Sequence, residues 1–338
     1  MHIPDGYLGP LTYAPLDAAI VPIWAVAASR VRRHLKARQI PLMSLAAAFS
    51  FVLMMFNVPV IGGTTAHAVG ALLIAVLLGP WAACLAVSTA LVIQALAFGD
   101  GGITAIGANC LNMAVVMPFV GFAAYRLVSG SAPDLRRKVM ASGIGAYCGL
   151  VAASITAGLE IGLQPLLAHD PSGHALYAPY SLQVAVPSMV GIHLVVGLLE
   201  AAVTMGVVAA LGRTDPALLE MRPASKPLTW IGGTLGLLIL LTPLGLLASG
   251  PAWGEWDPAA IKAATGYLPA GLQKLNGVWT AAMPDYAPGF IKNPYVGYIV
   301  AAFTGTTLTI AIVWLAGLLM GRRRQDTVSR PDEEPKMP

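Results

Sequence analysis

The chain has 338 residues, of which 57% are hydrophobic and only 11% are charged, and its mean hydropathy is +0.71. Soluble domains average roughly 45–50% apolar and about 25% charged residues, so this composition excludes a soluble enzyme, a fibrous protein and a disordered scaffold. The net charge of +4 does not indicate nucleic-acid binding, because the basic residues fall in short loops between apolar stretches. The sequence therefore predicts an all-α, polytopic membrane protein.

Nine apolar stretches are candidates for membrane spans, since a helix needs about 20 apolar residues to cross a bilayer. In chain order they are 13–29, 40–61, 66–80, 82–98, 104–125, 140–164, 184–211, 228–249 and 294–320. The third and fourth meet at Gly79-Pro80, which could be a tight turn between two helices or a break within one longer path. Two separate spans are favoured, because a single span would invert the later loops, and the Lys and Arg residues would no longer be concentrated on one side of the membrane.

The charge asymmetry of the loops is pronounced. Only Lys262, Lys274 and Lys292 fall on one side of the predicted spans, and the other 17 of the 20 Lys and Arg residues fall on the opposite side. Cytoplasmic loops are enriched in Lys and Arg, so the N-terminus is predicted to lie outside and the C-terminus in the cytoplasm. The expected location is the plasma (cell inner) membrane.

The spans and loops divide the chain into three parts. Residues 1–215 form a transmembrane domain, 216–321 form a two-span extension with a long outside loop, and 322–338 are predicted to be a disordered cytoplasmic tail. The loop, from about 250 to 293, is rich in Trp and Tyr, so it is expected to pack on the membrane surface or to cap the helices. No Lys or Arg precedes the first span, so no cleaved signal sequence is expected.

The N-terminus carries a chelating sequence, because a His stands at position 2. The α-amine of Met1 and the amide nitrogen of His2 close a five-membered ring on a metal, and this amide with imidazole Nδ1 closes a six-membered ring. The three nitrogens are nearly coplanar, which suits copper(II), nickel(II) and, less decisively, cobalt(II). Zinc, with its tetrahedral preference, suits the arrangement poorly.

A fourth donor is expected from the segment GGTTAHAVG at 62–70. The topology brings this segment to the same outside face as Met1, and His67 follows a glycine pair that permits close backbone approach. The alternative is that His2 is an accident of the start site and that His67 is an ordinary buried histidine bonded to a carbonyl group. The coincidence of both histidines on one face favours a metal site.

Three motifs in order carry a family resemblance: MHIPDGYL at 1–8, GGTTAHAVGALLIAVLLGPW at 62–81 and FGDGGITAIGANCLNMAVVMP at 98–118. Together they resemble the CbiM/NikM family, the metal-capturing S components of energy-coupling-factor (ECF) cobalt and nickel transporters, through about residues 1–215. The resemblance implies a seven-helix S-component bundle followed here by two further transmembrane helices. It also implies Met1, His2 and His67 as ligands of transported cobalt(II) or nickel(II).

The resemblance implies partners in addition to the lipid bilayer: a transmembrane T subunit and cytoplasmic ABC-type ATPase subunits. The chain itself has no G-x-x-x-x-G-K-[ST] phosphate-binding motif, so it is expected to be a transporter subunit and not an enzyme. The two-span extension resembles the small N-type accessory subunit of these transporters. No nucleic-acid partner is expected.

Three polar residues lie in or just after the Gly-rich connection between the fourth and fifth spans: Asp100, Asn109 and Asn112. They are candidates for orienting His67 or for closing a lid over the metal. The alternative is that their side chains bond only to the backbone of the connection.

Glu160 in the sixth span and His193 and Glu200 in the seventh are ionisable groups at membrane depth, where such groups are costly and often functional. A relay through them would make the chain an autonomous proton-coupled divalent metal carrier, which is the main alternative function. The favoured interpretation is that they satisfy one another or bind a partner helix. A receptor that binds metal without translocating it is a second alternative. The sequence favours neither cobalt nor nickel, because both accept the same four nitrogens.

Overall fold

The computed structural model describes residues 1–60, 62–248 and 250–328. Within these residues, eight helices are long and apolar enough to cross a membrane, which confirms the all-α, polytopic class. They are Pro10–His34, Ala37–Met54, Pro80–Phe98, Ile106–Ser129, Leu135–Leu167, Leu182–Thr214, Thr229–Leu247 and Pro294–Leu319.

The first two helices differ in their position in the bundle. α1 (Pro10–His34) begins with a proline, whose missing N–H costs nothing at that position, and it exposes most of its surface. α2 (Ile40–Met54) is buried along most of its length and lies at the centre of the bundle.

The third predicted span is not a full membrane-crossing helix, and this corrects the sequence-based prediction. The chain forms an antiparallel hairpin of β1 (Val58–Val60) and β2 (Thr64–Ala66), and α3 (Ala71–Leu78) has only 8 residues. At 1.5 Å per residue α3 is about 12 Å long, whereas the hydrocarbon core is roughly 30 Å thick. Every residue of α3 is buried, so protein and not lipid surrounds this short member of the bundle.

α3 and α4 (Pro80–Ile93) are separate helices, as predicted. Gly79 joins them with a φ of +87°, which favours glycine, and Pro80 begins α4. α4 continues into a π-helical turn over Gln94–Phe98. Such turns are frequent at functional sites.

A second π-helical segment lies on the other side of the loop that contains Asp100. α5 (Ile106–Asn109) runs through this segment, Cys110–Val116, into α6 (Met117–Ser129). The two π-helical segments therefore flank one short loop at the end of the bundle.

α7 (Leu135–Gly162) and α9 (Leu182–Thr214) form the opposite side of the bundle, with the short α8 (Gln164–Leu167) following α7. Gly158 and Gly162 of α7 lie directly against the backbone of α9. Small residues at these positions allow the two helix backbones to approach closely.

The C-terminal extension adds α10 (Thr229–Leu241) and α13 (Pro294–Val328) to the bundle, and α13 packs against α2. α13 continues through 322–328, where a disordered tail is predicted. The remainder of that tail, 329–338, lies outside the described residues, so its disorder stays a prediction.

The 250–293 loop contains α11 (Pro258–Thr265) and α12 (Ala270–Leu275) and covers the end of the bundle at which Met1 lies, here called the Met1 end. Its backbone is hydrogen-bonded to the first domain: the N–H of Thr65 donates to the carbonyl of Pro251 (3.3 Å). The N–H of Met283 likewise donates to the carbonyl of Ala97 (2.9 Å). Of the two roles expected for this loop, capping the helices is the one observed.

Candidate metal centre

The N-terminal segment, residues 1–4, lies at the Met1 end of the bundle, where Asn109 holds it in place. The backbone N–H of Ile3 donates to Oδ1 of Asn109 (2.8 Å), and Nδ2 of Asn109 donates to the carbonyl of Ile3 (3.1 Å). The N–H of Gly102 also donates to that carbonyl (2.9 Å). The sequence made Asn109 a candidate for orienting His67. The structure shows that it positions the N-terminal segment instead.

The residues that follow, Asp5 and Gly6, hold the C-terminal end of this N-terminal segment. They form a turn, as Asp-Gly pairs commonly do, with Gly6 at a φ of +84°. The carboxylate of Asp5 accepts hydrogen bonds from the N–H of Ile103 (3.2 Å) and from the N–H (2.8 Å) and hydroxyl (2.6 Å) of Thr104. Met1 and His2 are thus anchored on the loop that contains Asp100.

His67 approaches from a second direction, on the loop between β2 and α3. Oε2 of Glu200 accepts the N–H of Val69 (2.7 Å), and Oε1 accepts the N–H of Gly70 (2.9 Å). The hydroxyl of Ser50 donates to the carbonyl of Val69 (2.7 Å). A carboxylate and a hydroxyl at membrane depth therefore hold the backbone that presents His67.

The structure brings together the three residues that the sequence predicts as metal ligands. Met1, His2 and His67 are all buried, with exposed fractions of 3%, 4% and 6%. The imidazole rings of His2 and His67 lie 5.1 Å apart, centre to centre. Nδ1 of His67 is 3.2 Å from the carbonyl of Ala68, so when Nδ1 carries the proton, Nε2 has a free lone pair for a metal.

Asp100 contacts the other histidine. Nδ1 of His2 lies 2.9 Å from Oδ1 of Asp100, while the buried Nε2 of His2 has no hydrogen-bond partner among the described residues. The predicted chelate uses Nδ1. In this structure Nδ1 faces Asp100, so the predicted chelate requires the ring to rotate about the Cβ–Cγ bond until Nδ1 is free for a metal.

The C-terminal extension supplies two polar residues to the same site, and the sequence did not single out either of them. Oε1 of Glu255 lies 3.5 Å from the α-amine of Met1. The hydroxyl of Tyr286 donates to Oδ2 of Asp100 (2.5 Å) and accepts from Nε2 of Gln94 (2.8 Å). The only signal in the sequence was the aromatic richness of the loop, which does not identify individual contacts.

The site combines buried charge with neutral imidazole. Burial, together with the nearby α-amine and His2, lowers the pKa of His67 well below its usual range, which keeps the ring in the form that binds metals. Burial alone would raise the pKa of Asp100, but His2, His67 and the Tyr286 hydrogen bond hold it below its usual range. Burial raises the pKa of Glu255, and the amine of Met1 opposes that shift.

The remaining candidates from the sequence lie elsewhere. Nδ2 of Asn112 donates to Oε2 of Glu160 (2.7 Å), so these two candidates pair with each other inside the bundle. Nδ1 of His193 is 2.7 Å from the carbonyl of Met189 in its own helix. Glu200, considered as part of a relay, supports the His67 loop instead.

Among the described residues, no group of three or more His, Cys, Asp and Glu side chains is arranged to hold a metal ion. The predicted ligand set does not need such a group, because two of its four nitrogens belong to the backbone of Met1 and His2. The three cysteines are not part of the site either, since Cys84, Cys110 and Cys148 are free thiols within the helices.

The fold and the site together define a polytopic membrane protein that encloses a nitrogen-rich polar centre at one end of its helix bundle. The family described as the cobalt uptake substrate-specific transmembrane region, CbiM, matches residues 2–218. The chain belongs to the CbiM family, and a PDGLE domain match covers residues 228–322.

Relatives include proteins that align with nearly the whole chain. The fused nickel transport protein NikMN of Rhodobacter capsulatus is 50% identical over 347 residues, covering 96% of this chain and 99% of its own. The probable fused nickel transport protein LarMN of Lactiplantibacillus plantarum is 44% identical, covering 93% and 96%. A crystal structure of a truncated transition metal transporter is 49% identical and has a TM-score of 0.58, covering 66% of this chain and 100% of that one. The chain is accordingly a transport protein and not an enzyme, as predicted.

Proposed function

We propose that this chain binds cobalt(II) or nickel(II) at the outer face of the plasma membrane as the substrate to be transported. The ligands are the α-amine of Met1, the amide and imidazole nitrogens of His2, and the imidazole of His67. The chain then delivers the metal inward as the substrate-specific subunit of an ATP-driven ECF-type uptake transporter.

One observation carries the proposal: residues 1, 2 and 67 are buried together at one end of the bundle, with the two imidazole rings in proximity. Burying an amine and two imidazoles is costly unless they gain compensating interactions. The amine and the two rings already contact Glu255, Asp100 and the carbonyl of Ala68, and a metal ion coordinated by these nitrogens would add to that compensation. The distance between the two rings, 5.1 Å, is compatible with two imidazoles that bind one ion from different directions.

The donor set and the relatives agree on the kind of metal. Four nitrogens including a deprotonated amide favour metals that accept square-planar or tetragonal nitrogen coordination. The names of the relatives refer to nickel transport, and other matched proteins are named cobalt transport proteins, such as that of Moorella thermoacetica. Both metals therefore remain substrates in this proposal.

Delivery into the cell requires partners that this chain does not contain. Its sequence has no phosphate-binding motif of an ATPase, and the proposal assigns the energy supply to ABC-type ATPase subunits coupled through a transmembrane T subunit. The excess of Lys and Arg on one side of the bundle supports an outside N-terminus and a cytoplasmic C-terminus.

The contacts of the buried ionisable groups give little support to an autonomous proton-coupled carrier. Glu200 is bonded to two backbone N–H groups, Glu160 to Asn112, and His193 to a carbonyl of its own helix. These are structural contacts, and they do not connect the three groups into a relay.

The decisive experiment is the metal content and visible spectrum of the purified full-length protein after exposure to nickel(II) and, separately, cobalt(II). We expect one metal per chain and a square-planar nickel band. Both should be lost in His67→Ala and in a form with one extra residue ahead of Met1, which relocates the amine. His174→Ala is the matched control, because His174 is exposed in a loop. Metal binding that survives both changes would refute the chelate.

Coupling to ATP is tested separately in cells that express the chain with candidate T and ATPase subunits. Radioactive nickel uptake should disappear when the phosphate-binding lysine of the ATPases is replaced, although the purified chain still binds nickel. Uptake that continues without ATPase activity would instead support the autonomous carrier.

A further inference from the structure

The C-terminal extension contacts both ends of the proposed chelate, and no role is yet assigned to the residues that do so. Oε1 of Glu255 faces the α-amine of Met1 at 3.5 Å, and this oxygen has no hydrogen-bond partner among the described residues. Tyr286 reaches His2 through Asp100, by contacts of 2.5 Å and 2.9 Å. Two separate points of one loop therefore meet the two ends of the dipeptide Met1-His2.

The position of Glu255 is fixed by contacts on both sides of it. Its own N–H donates to the carbonyl of Ala252 (3.0 Å), and the next residue, Trp256, accepts the hydroxyl of Tyr7 through its carbonyl (2.8 Å). The loop is therefore attached to the N-terminal segment next to the Glu255–Met1 contact. The backbone that carries the Glu255 side chain is thus held beside the amine of Met1.

A carboxylate at this position remains useful when a metal is bound. The amine gives up one proton to coordinate the metal, but it keeps two N–H bonds that need acceptors in a buried site. Glu255 lies 3.5 Å from the amine and can accept one of these N–H bonds, which would constrain the direction of the amine lone pair. Carboxylates that hold metal ligands in this way commonly strengthen binding.

Tyr286 acts on the other end of the chelate. Its hydroxyl accepts from Gln94 and donates to Asp100, so it fixes the rotation of the carboxylate that faces the His2 imidazole. The ring is stacked on Phe98, with centres 4.8 Å apart. Asp285 and Tyr286 both have positive φ values, 52° and 59°, which are uncommon for residues other than glycine and are held here by these contacts.

We propose that Glu255 and Tyr286 are positioning residues of the metal site, which the extension supplies to slow the release of bound metal. Glu255 directs the amine of Met1, and Tyr286 directs the imidazole of His2 through Asp100. This inference rests on the proposed function, because it assigns these residues to the same chelate.

The test uses the full-length protein loaded with nickel(II) and a chelator chase that follows the decay of the visible band. Glu255→Gln keeps the shape of the side chain and removes its charge. Tyr286→Phe keeps the stacked ring and removes the hydroxyl. We expect each variant to release nickel about 10- to 100-fold faster than the wild type, the usual effect of losing a group that orients a metal ligand. Glu255→Asp, which keeps the charge, should restore part of the retention.

Two matched controls separate positioning from loosening of the loop. Asp257→Asn removes a charge two residues away and keeps a good helix cap for α11. Tyr295→Phe removes the hydroxyl of an exposed tyrosine in the same extension. Both should release nickel at the wild-type rate. Equal acceleration in controls and test variants would overturn the inference, as would wild-type release rates in Glu255→Gln and Tyr286→Phe.

A second readout needs no metal. The α-amine of Met1 should react faster with a small acylating reagent in Glu255→Gln than in the wild type or in Asp257→Asn, as measured by mass spectrometry of the N-terminal peptide. Equal rates in all three proteins would refute the role of Glu255. A wild-type protein that binds no nickel would instead overturn the proposed function, and this inference with it.

Discussion

Glu200 in α9 holds the backbone of Val69 at the base of the His67 loop: its Oε2 accepts the N–H of Val69 at 2.7 Å, and Oε1 accepts the neighbouring N–H at 2.9 Å. The two residues are 131 positions apart in the sequence. The contact explains why a fully buried carboxylate is tolerated at membrane depth, because both of its oxygens are satisfied. It also makes the position of His67 dependent on a helix that contributes no metal ligand.

Replacing Glu200 should therefore weaken both the fold and the metal site. Glu200→Ala leaves two buried N–H groups without an acceptor, at a cost of about 1–3 kcal/mol each, and loosens the loop that presents His67. We expect a lower midpoint of thermal unfolding in detergent and weaker nickel binding by titration. Glu200→Gln, which keeps one acceptor oxygen, should lie between Ala and the wild type.

The same variants distinguish the structural role of Glu200 from a role in a proton relay. A relay residue can be replaced without loss of stability or of metal affinity, while transport stops. Normal unfolding and normal nickel binding in Glu200→Ala, combined with loss of uptake, would therefore contradict a structural role for Glu200.

Hydropathy predicted most of the fold, because a helix that crosses a bilayer needs a long apolar stretch, and loops and tails are seldom apolar over such a length. The third predicted span is the exception. The stretch 66–80 is as apolar as a span, but hydropathy does not register that Gly70 has a φ of +76° or that its N–H bonds to Glu200. Because of these features the helix begins only at Ala71. The resulting short helix is buried by protein, so its apolar residues face other helices.

The candidate site was predictable only in part. Met1 and His2 form a chelating sequence by covalent geometry, and His67 lies at the same end of the bundle by topology. Glu255 and Tyr286 reach the site from a loop more than 180 positions along the chain, and nothing in their local sequence marks them as polar contacts of the N-terminus. Long-range contacts of single side chains leave no periodic signal.

Asn109 should be required for tight metal binding although it contacts no proposed ligand atom. Its side-chain amide makes two hydrogen bonds with the backbone of Ile3. These bonds hold the N-terminal segment that contains Met1 and His2. We expect Asn109→Ala to weaken nickel binding about 10-fold or more in an equilibrium titration. The control is Asn276→Ala, which removes an exposed amide from the extension; comparable weakening in both variants would argue against a specific role for Asn109.

Two glycine substitutions should differ clearly in their effects on stability. A Cβ at Gly107 would collide with the backbone of α1 at Leu16 and Asp17, whereas a Cβ at Gly206 of α9 would meet open space. Gly107→Ala is expected to lower stability by about 1–3 kcal/mol through overpacking. Gly206→Ala should be neutral or stabilising, because alanine favours the helix by about 1 kcal/mol. The midpoint of thermal unfolding measures both, and similar midpoints for the two variants would conflict with the packing of α1.

The orientation of the chain can be tested with cysteines placed in two loops. Ser131 lies between α6 and α7 on the predicted cytoplasmic side, and Ser172 lies between α8 and α9 on the predicted outer side. The native cysteines can be kept, because Cys84 and Cys110 are buried and should react little with maleimide. Labelling of the parent protein measures this background. In intact cells, a membrane-impermeant maleimide should label Ser172→Cys and should label Ser131→Cys only after lysis. The opposite pattern would place Met1 and the proposed metal site on the cytoplasmic side and would refute the proposed capture of metal at the outer face.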